Sequence, residues 1–300
     1  MKHKSVMLME TINNLNVKPD GIYIDCTLGY AGHSSEVLKR LNEKGFLFAF
    51  DQDIDAINYS DQKLSKISKN YKIIKSNFVD IKKYIDKDVD GIMFDLGVSS
   101  PQLDTDERGF SFHKNAYLDM RMDRDNTLDA HYVVNNYSEK ELSNIFYKYG
   151  DEKYSKQIAK NIVNNRPIDT TLELVEVIKN SVPESYRVKH HPARKVFQAI
   201  RIEVNHEIDI LNKAINDAFD LLKVGGRLAV ITFHSLEDKT VAGIFKKLCS
   251  DDKLASKLPM VPENMKARAK QIIKIIPNDE EIDENNRSRS AKLRVIERVR

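Results

Sequence analysis

Cysteine is nearly missing from this chain. Its 300 residues hold two, Cys26 and Cys249. They lie far apart and fit no metal or redox spacing, so a disulfide scaffold and a thiolate metal centre are excluded and a reduced thiol pair is expected. Long apolar runs are missing too. The most apolar stretch, Leu228 to Phe233, is far too short to span a bilayer. The opening Met1-Lys2-His3-Lys4-Ser5 leads into no long apolar run, so neither a leader nor a membrane contact is expected and the chain reads as cytoplasmic. Charge of one sign is also scarce. Lys and Arg number 48 against 45 Asp and Glu, and the net +3 is too small to argue for nucleic acid by itself. What remains, 41% hydrophobic and 31% charged with no internal repeat, is a soluble globular chain of one large domain or a domain with an insertion.

One stretch organises the rest. Ile22, Tyr23 and Ile24 form a short apolar run of β-formers that Asp25 closes. Thr27-Leu28-Gly29-Tyr30-Ala31-Gly32 is a turn with two glycines, and Ser34 and Ser35 can cap a helix that continues through Val37, Leu38 and Leu41. Strand, glycine turn and helix make the first unit of a cofactor-binding α/β sheet. The three-glycine dinucleotide fingerprint is not met, and no Gly-Lys-Ser/Thr stands ready for a triphosphate. A loop with an acid before it and no cationic anchor suits a ligand without a pyrophosphate, such as S-adenosylmethionine (AdoMet). A tight β–α connection with no ligand has the same local pattern.

Later segments narrow the choice. Gly45 to Phe50 is a second apolar strand, and Asp51 at its end stands where a carboxylate accepts a ribose hydroxyl pair. Tyr71 to Ile74 is a third strand, followed by Phe78, an aromatic that can flank an adenine ring or simply pack in the core. Val89 to Phe94 is a fourth, running into Asp95-Leu96-Gly97-Val98-Ser99-Ser100-Pro101-Gln102. Open α/β sheets carry their ligands at these carboxyl-end loops.

From residue 108 the composition changes. Two capping boxes, Ser138 with Glu141 and Thr170 with Glu173, open amphipathic helices in an inserted helical subdomain. The expected division is a core over 1–107, an insertion over 108–200 and a returning core over 201–300. Ala193 to Leu222 reads as one long amphipathic stretch, Lys223 to Arg227 as a helix cap and turn, and Leu228 to Phe233 as a late strand. Ser235 and Asp238 are a capping pair for the next helix. Asp251 to Ile276 is a poorly periodic connector, Asp279 to Glu284 a solvated acidic loop, and Arg287 to Ile296 a basic segment ending in strand-like alternation.

The strand-end Asp95 fits methylation of an amine. An exocyclic base amine is a poor nucleophile because its lone pair is delocalised, and acceptors aimed at its N–H groups hold it in line and stabilise the developing charge. Amino-methyltransferases do this with an Asp/Asn/Ser-Pro-Pro-aromatic loop, to which the Asp95 loop is a partial analogue. A DNA amino-methyltransferase and a non-catalytic RNA-binding assembly factor are the alternatives.

The motifs Asp25-Cys26-Thr27-Leu28-Gly29, Gly32-His33-Ser34 and Asp95 to Gln102 resemble those of the RsmH (MraW) family. The resemblance extends through Arg108 to Phe112, Leu118 to Asp123, Phe197 to Ile202, Phe233 to Asp238 and Arg287 to Arg294, in one order nearly end to end. It implies a class I AdoMet methyltransferase, Rossmann-like with a mostly parallel sheet, acting on N4 of a cytidine in the decoding region of 16S rRNA. Carried over, the AdoMet contacts are Ala31, Gly32, His33, Asp51, Phe78, Asp95 and Gln102, with Asp95 also catalytic. No metal is expected, and the partner is the small ribosomal subunit, with a homodimer left open. Arg108, Phe110, Phe112, Arg194, His234, Arg287 and Arg289 are candidates for RNA contact, with Lys292 and Arg294 beside the last two. One departure stands out: the family usually has two glycines before the histidine, and here the first is Ala31. The expectation is that Ala31 avoids the left-handed region, where alanine costs on the order of 1 kcal/mol.

Overall fold

The computed structural model describes residues 5–98, 105–189, 191–252, 254–255 and 260–300. Its chain divides into two compact units, Met1–Gly97 with Ile208–Arg300, and Val98–Glu207. Both cuts expected from composition, at 107 and 200, fall inside the second unit.

The first unit opens with α1 (Leu8–Leu15) and β1 (Ile22–Asp25), then alternates α2 (Gly32–Arg40), β2 (Phe46–Asp51), α3 (Ile54–Leu64), β3 (Tyr71–Lys75), α4 (Ile81–Tyr84) and β4 (Val89–Asp95). The second unit holds α5 (Ala130–Asn136), α6 (Glu139–Gly150), α7 (Ser155–Asn164), α8 (Thr171–Asn180), α9 (Glu184–Lys189) and α10 (Ala193–Asn205). The chain then runs through α11 (Glu207–Asp220), β5 (Leu222–Thr232), α12 (Ser235–Leu248), β6 (Ala269–Ile275), α13 (Asp279–Glu284) and β7 (Lys292–Arg298).

Among the described residues seven strands form one sheet, in the order β3-β2-β1-β4-β5-β7-β6. The first five in that order are parallel, and β7 runs antiparallel to both β5 and β6. Strand periodicity explains why both faces are covered. Ile24, Phe48, Phe50, Phe94, Leu228 and Val230 point to one face, against Leu211, Ile215 and Phe219 of α11 and Val241 of α12. Their neighbours Tyr23, Leu47, Ala49, Met93, Ala229 and Ile231 point to the other, with Ile12, Leu15, Val37 and Leu38 of α1 and α2.

In the second unit both predicted capping boxes form, each with reciprocal bonds, at Ser138 with Glu141 and Thr170 with Glu173. Leu142, Phe146, Ile158, Ile162, Leu174, Ile178, Val196 and Phe197 are buried there.

Several local readings are corrected. The stretch 193–222 breaks at His206, which takes a left-handed conformation (φ 53°), so it forms two helices. Lys223 to Arg227 belongs to β5, with Gly225 at φ 83° where the pairing with β4 shifts register. The connector contains β6, whose burial alternates too weakly to reveal a strand, and the acidic loop is the helix α13, capped by Asn278. Among the described residues no helix is long and apolar enough to cross a membrane.

Candidate functional site

The parallel strands β1, β2 and β4 end on acids, and each acid has a different local task. Asp25 is buried and braces the glycine turn. Its Oδ1 accepts from the Thr27 amide at 3.0 Å, and its Oδ2 accepts from the Ser34 hydroxyl at 2.6 Å. Burial pushes its pKa up to about 6 against the lowering effect of those bonds. Ser34 thus ties helix to strand instead of capping, and the Ser35 hydroxyl bonds back to the Ala31 carbonyl. The residue before α2 is Ala31.

Ala31 is left-handed, φ 52° and ψ 39°, which overturns the expectation that alanine would avoid that region. The turn leaves it no choice. The Leu28 amide is held by the Phe50 carbonyl, the Ala31 amide by the Leu28 carbonyl at 2.8 Å, and the Ala31 carbonyl already receives the Ser35 amide. Its methyl is fully buried in a cluster that includes Val6, Met7 and Leu28, which offsets the roughly 1 kcal/mol of strain.

Asp51 reaches across from β2. Its Oδ2 accepts from the Gly29 amide at 2.8 Å and its Oδ1 from the Asp53 amide at 2.9 Å. An ionised carboxylate has about four acceptor sites, and with the Gln52 amide also bonded to this one, about one remains for a hydroxyl. Burial raises this carboxyl to about 6, and nearby Asp53 adds to the rise. Asn77 bonds to Gln52 at 3.1 Å and caps the turn carrying Phe78, whose ring is partly buried and edge-on to Phe94 at 5.4 Å.

Asp95 ends β4 with its amide on the Thr27 hydroxyl at 2.6 Å. Its Oδ2 lies 3.7 Å from Nδ1 of His33, a residue 6% exposed in the first turn of α2. Its Oδ1 is a buried acceptor with no hydrogen-bond partner among the described residues, although 28% of the side chain stays accessible. Burial first, then the charges of Asp25 and Glu237, push its pKa well up. Gln102 and Ser99 to Pro101 lie outside the described residues.

His234 caps α12, in place of the expected Ser235–Asp238 pair. Its ring accepts from the Glu237 amide at 3.4 Å, while Glu237 accepts from the Phe233 and His234 amides at 2.8 and 3.2 Å. Glu237 stands three residues after the cap, a spacing the sequence already displayed. Asp238 binds Lys292 at 2.9 Å and Arg294 at 2.8 Å, so one carboxylate is shared between two cations and holds both to the fold with a net charge of +1. Arg287 and Arg289 are exposed on a short turn before β7.

In the second unit Arg108 is buried and donates to the Arg121 and Met122 carbonyls at 2.9 and 3.3 Å. Phe110 is 5% exposed. Both are placed as scaffold, and the RNA contact expected of them has no support in this arrangement. Phe112 is partly exposed and stacks on His191 with centroids 4.6 Å apart, with Phe197 edge-on. Arg194 is exposed nearby in sequence at the start of α10.

A five-strand parallel run closed by an antiparallel β7, with an acid-braced glycine turn after β1 and a ribose-type acid after β2, defines a class I AdoMet-dependent methyltransferase. The carboxylates of Asp51 and Asp95 are acceptors of the kind that hydroxyl and amine donors need. The family model described as the MraW methylase family matches residues 1–299, and the chain belongs to that family. It is 50% identical over 306 residues to the ribosomal RNA small subunit methyltransferase H of Mycoplasma mycoides subsp. mycoides SC, covering 99% of each chain. Among solved structures it is similar to an rRNA methylase from Streptococcus thermophilus, at 14% identity and a TM-score of 0.46 over the whole of both chains.

Proposed function

We infer that this chain transfers a methyl group from AdoMet to N4 of a cytidine in the 16S rRNA of the small ribosomal subunit, in the cytoplasm. The observation that carries the reading is half identity, over nearly the full length of both chains, to a small-subunit rRNA methyltransferase. The local chemistry agrees with it. AdoMet, when bound, supplies a methyl group on a sulfonium, an electrophile that needs no metal and no covalent enzyme intermediate.

Asp51 would take a ribose hydroxyl, the Gly32–His33 backbone after the left-handed Ala31 would receive the amino-acid end, and Phe78 would flank the adenine. Asp95 would present the accessible part of its carboxylate to the substrate amine, accept an N–H, and so hold the nitrogen lone pair in line for transfer. A carboxylate beside the amine can also take the proton released on transfer, and the raised pKa of Asp95 suits it to that role. Arg287 and Arg289 hold the RNA backbone.

Tritiated AdoMet incubated with unmethylated small subunits should place label in N4-methylcytidine of the rRNA. Label absent from rRNA, or present equally in DNA, would overturn the assignment.

A further inference from the structure

Gly32 in the cofactor turn lacks a side chain for a reason that lies outside the turn. A Cβ built on it would fall 1.7 Å from Ser5 Oγ and 2.9 Å from Ser5 Cβ. The space beside its Cα is therefore filled by the segment before α1. That segment is held firmly. Val6 is 7% exposed and Met7 fully buried, in the cluster that also contains Ala31 and Leu28. Met7 is left-handed (φ 49°), and its carbonyl accepts both the Thr11 amide and the Thr11 hydroxyl, at 2.9 and 2.8 Å.

The Met7 amide points away from α1 and donates to Glu281 Oε1 at 2.5 Å. Glu281 sits on α13, in the connection between β6 and β7. Because β7 runs against β5 with Lys292 opposite Thr232, that connection lies at the carboxyl edge of the parallel strands, the edge where the glycine turn lies. A charged acceptor on a backbone amide is one of the stronger single hydrogen bonds a protein makes.

We propose that Glu281 is a positioning residue for AdoMet: by holding Met7 it seats Ser5 against Gly32 and so fixes the start of α2, just after the left-handed Ala31, where the cofactor is received. The proposal rests on the reading that AdoMet binds at this turn. Nothing in it requires Glu281 to touch the cofactor. Its action passes through Met7 and Ser5, and so its loss should appear in cofactor affinity and leave the methyl-transfer step intact.

Titration calorimetry of AdoMet into the full chain tests this with wild type, Glu281→Ala, Glu281→Gln and Ser5→Gly. Glu281→Ala is expected to weaken AdoMet about fivefold or more, the scale of one hydrogen bond's net contribution. Glu281→Gln still offers an oxygen to Met7 and should restore affinity to within about twofold of wild type. KM for AdoMet should rise in step with Kd while kcat at saturating AdoMet holds. A merely structural role would lower the Tm of the cofactor-free protein with AdoMet affinity unchanged, and that result would overturn the proposal. If Glu281→Ala does not fold, Ser5→Gly decides: weaker AdoMet binding supports the proposal, and unchanged binding overturns it. Wild-type chain that binds no AdoMet would instead remove the cofactor reading itself, and this proposal with it.

Discussion

The Gly29 amide donates to the Asp51 carboxylate at 2.8 Å, joining the cofactor turn after β1 to the end of β2. One carboxylate thereby shapes the turn and, in the proposed function, also meets a ribose. Its two roles depend on the same charge, and that makes the site sensitive to pH.

The Asp51 carboxyl, raised to about 6, must be ionised to hold its backbone amides and accept a further hydroxyl. AdoMet affinity is expected to be flat above about pH 7 and to fall as pH drops through 6, as measured by calorimetry from pH 5 to 8. Asp51→Asn should weaken binding by about tenfold or more at pH 7.5, since the amide nitrogen cannot accept from Gly29 or a hydroxyl. Affinity independent of pH across this range would take Asp51 out of the site.

Asp25 should be visible in stability instead. Its folded-state value of about 6 lies above the ordinary 3.8, so the folded protein binds this proton more tightly than the unfolded chain. Stability from this group is therefore gained as pH falls from about 6 toward 4, and lost again as pH rises through 6. In Asp25→Asn, which still accepts from Thr27, that gain should vanish. Urea unfolding at pH 5 and pH 7.5 for both proteins measures it, and identical slopes with pH would refute it.

Ala31→Gly removes a strained Cβ and a buried methyl together. The strain relieved, about 1 kcal/mol, nearly cancels the roughly 0.8 kcal/mol of methyl burial lost. Stability is expected to move by less than about 1 kcal/mol. The fully buried strand residue Ala49, which carries no such strain, should lose clearly more on the same change. Equal losses by denaturant titration would mean Ala31 is not strained.

Asp95→Asn keeps the size of the side chain and removes the proton acceptor. Turnover should fall by about a hundredfold or more with the fold intact, a typical scale for general acid–base and amine-orienting groups. Arg287→Ala and Arg289→Ala should act differently. Each should leave AdoMet binding unchanged and reduce the salt dependence of rRNA binding by about one unit of slope. Filter binding across a salt series separates the two cases.

Much of the sheet was legible because its strands are continuous apolar runs ending on polar residues. Asp51 and Asp95 stand out at those ends for the same reason. The helix starts that sequence reads well, Ser138 and Thr170, are those where a hydroxyl and a glutamate meet at the capping spacing. Histidine is an unusual cap, so the His234–Glu237 box was passed over for Ser235. Ala31 could not be read from propensity, because a network of turn hydrogen bonds overrides a cost of about 1 kcal/mol. The pairing of Lys292 and Arg294 with Asp238 was hidden as well. It links residues far apart in sequence, and a run of basic residues looks the same whether it faces solvent or a buried acid.

The order of the strands has a consequence for how the molecule comes into being. β4 sits mid-sheet, yet its partner β5 follows only after the whole 98–207 unit, and Glu281 comes later still. While the chain is emerging from the ribosome, β4 has an unpaired apolar edge and the cofactor turn has no seat for Ser5. If Glu281 positions the turn as proposed, the chain reaches its full affinity for the methyl donor only once nearly all of it has been made.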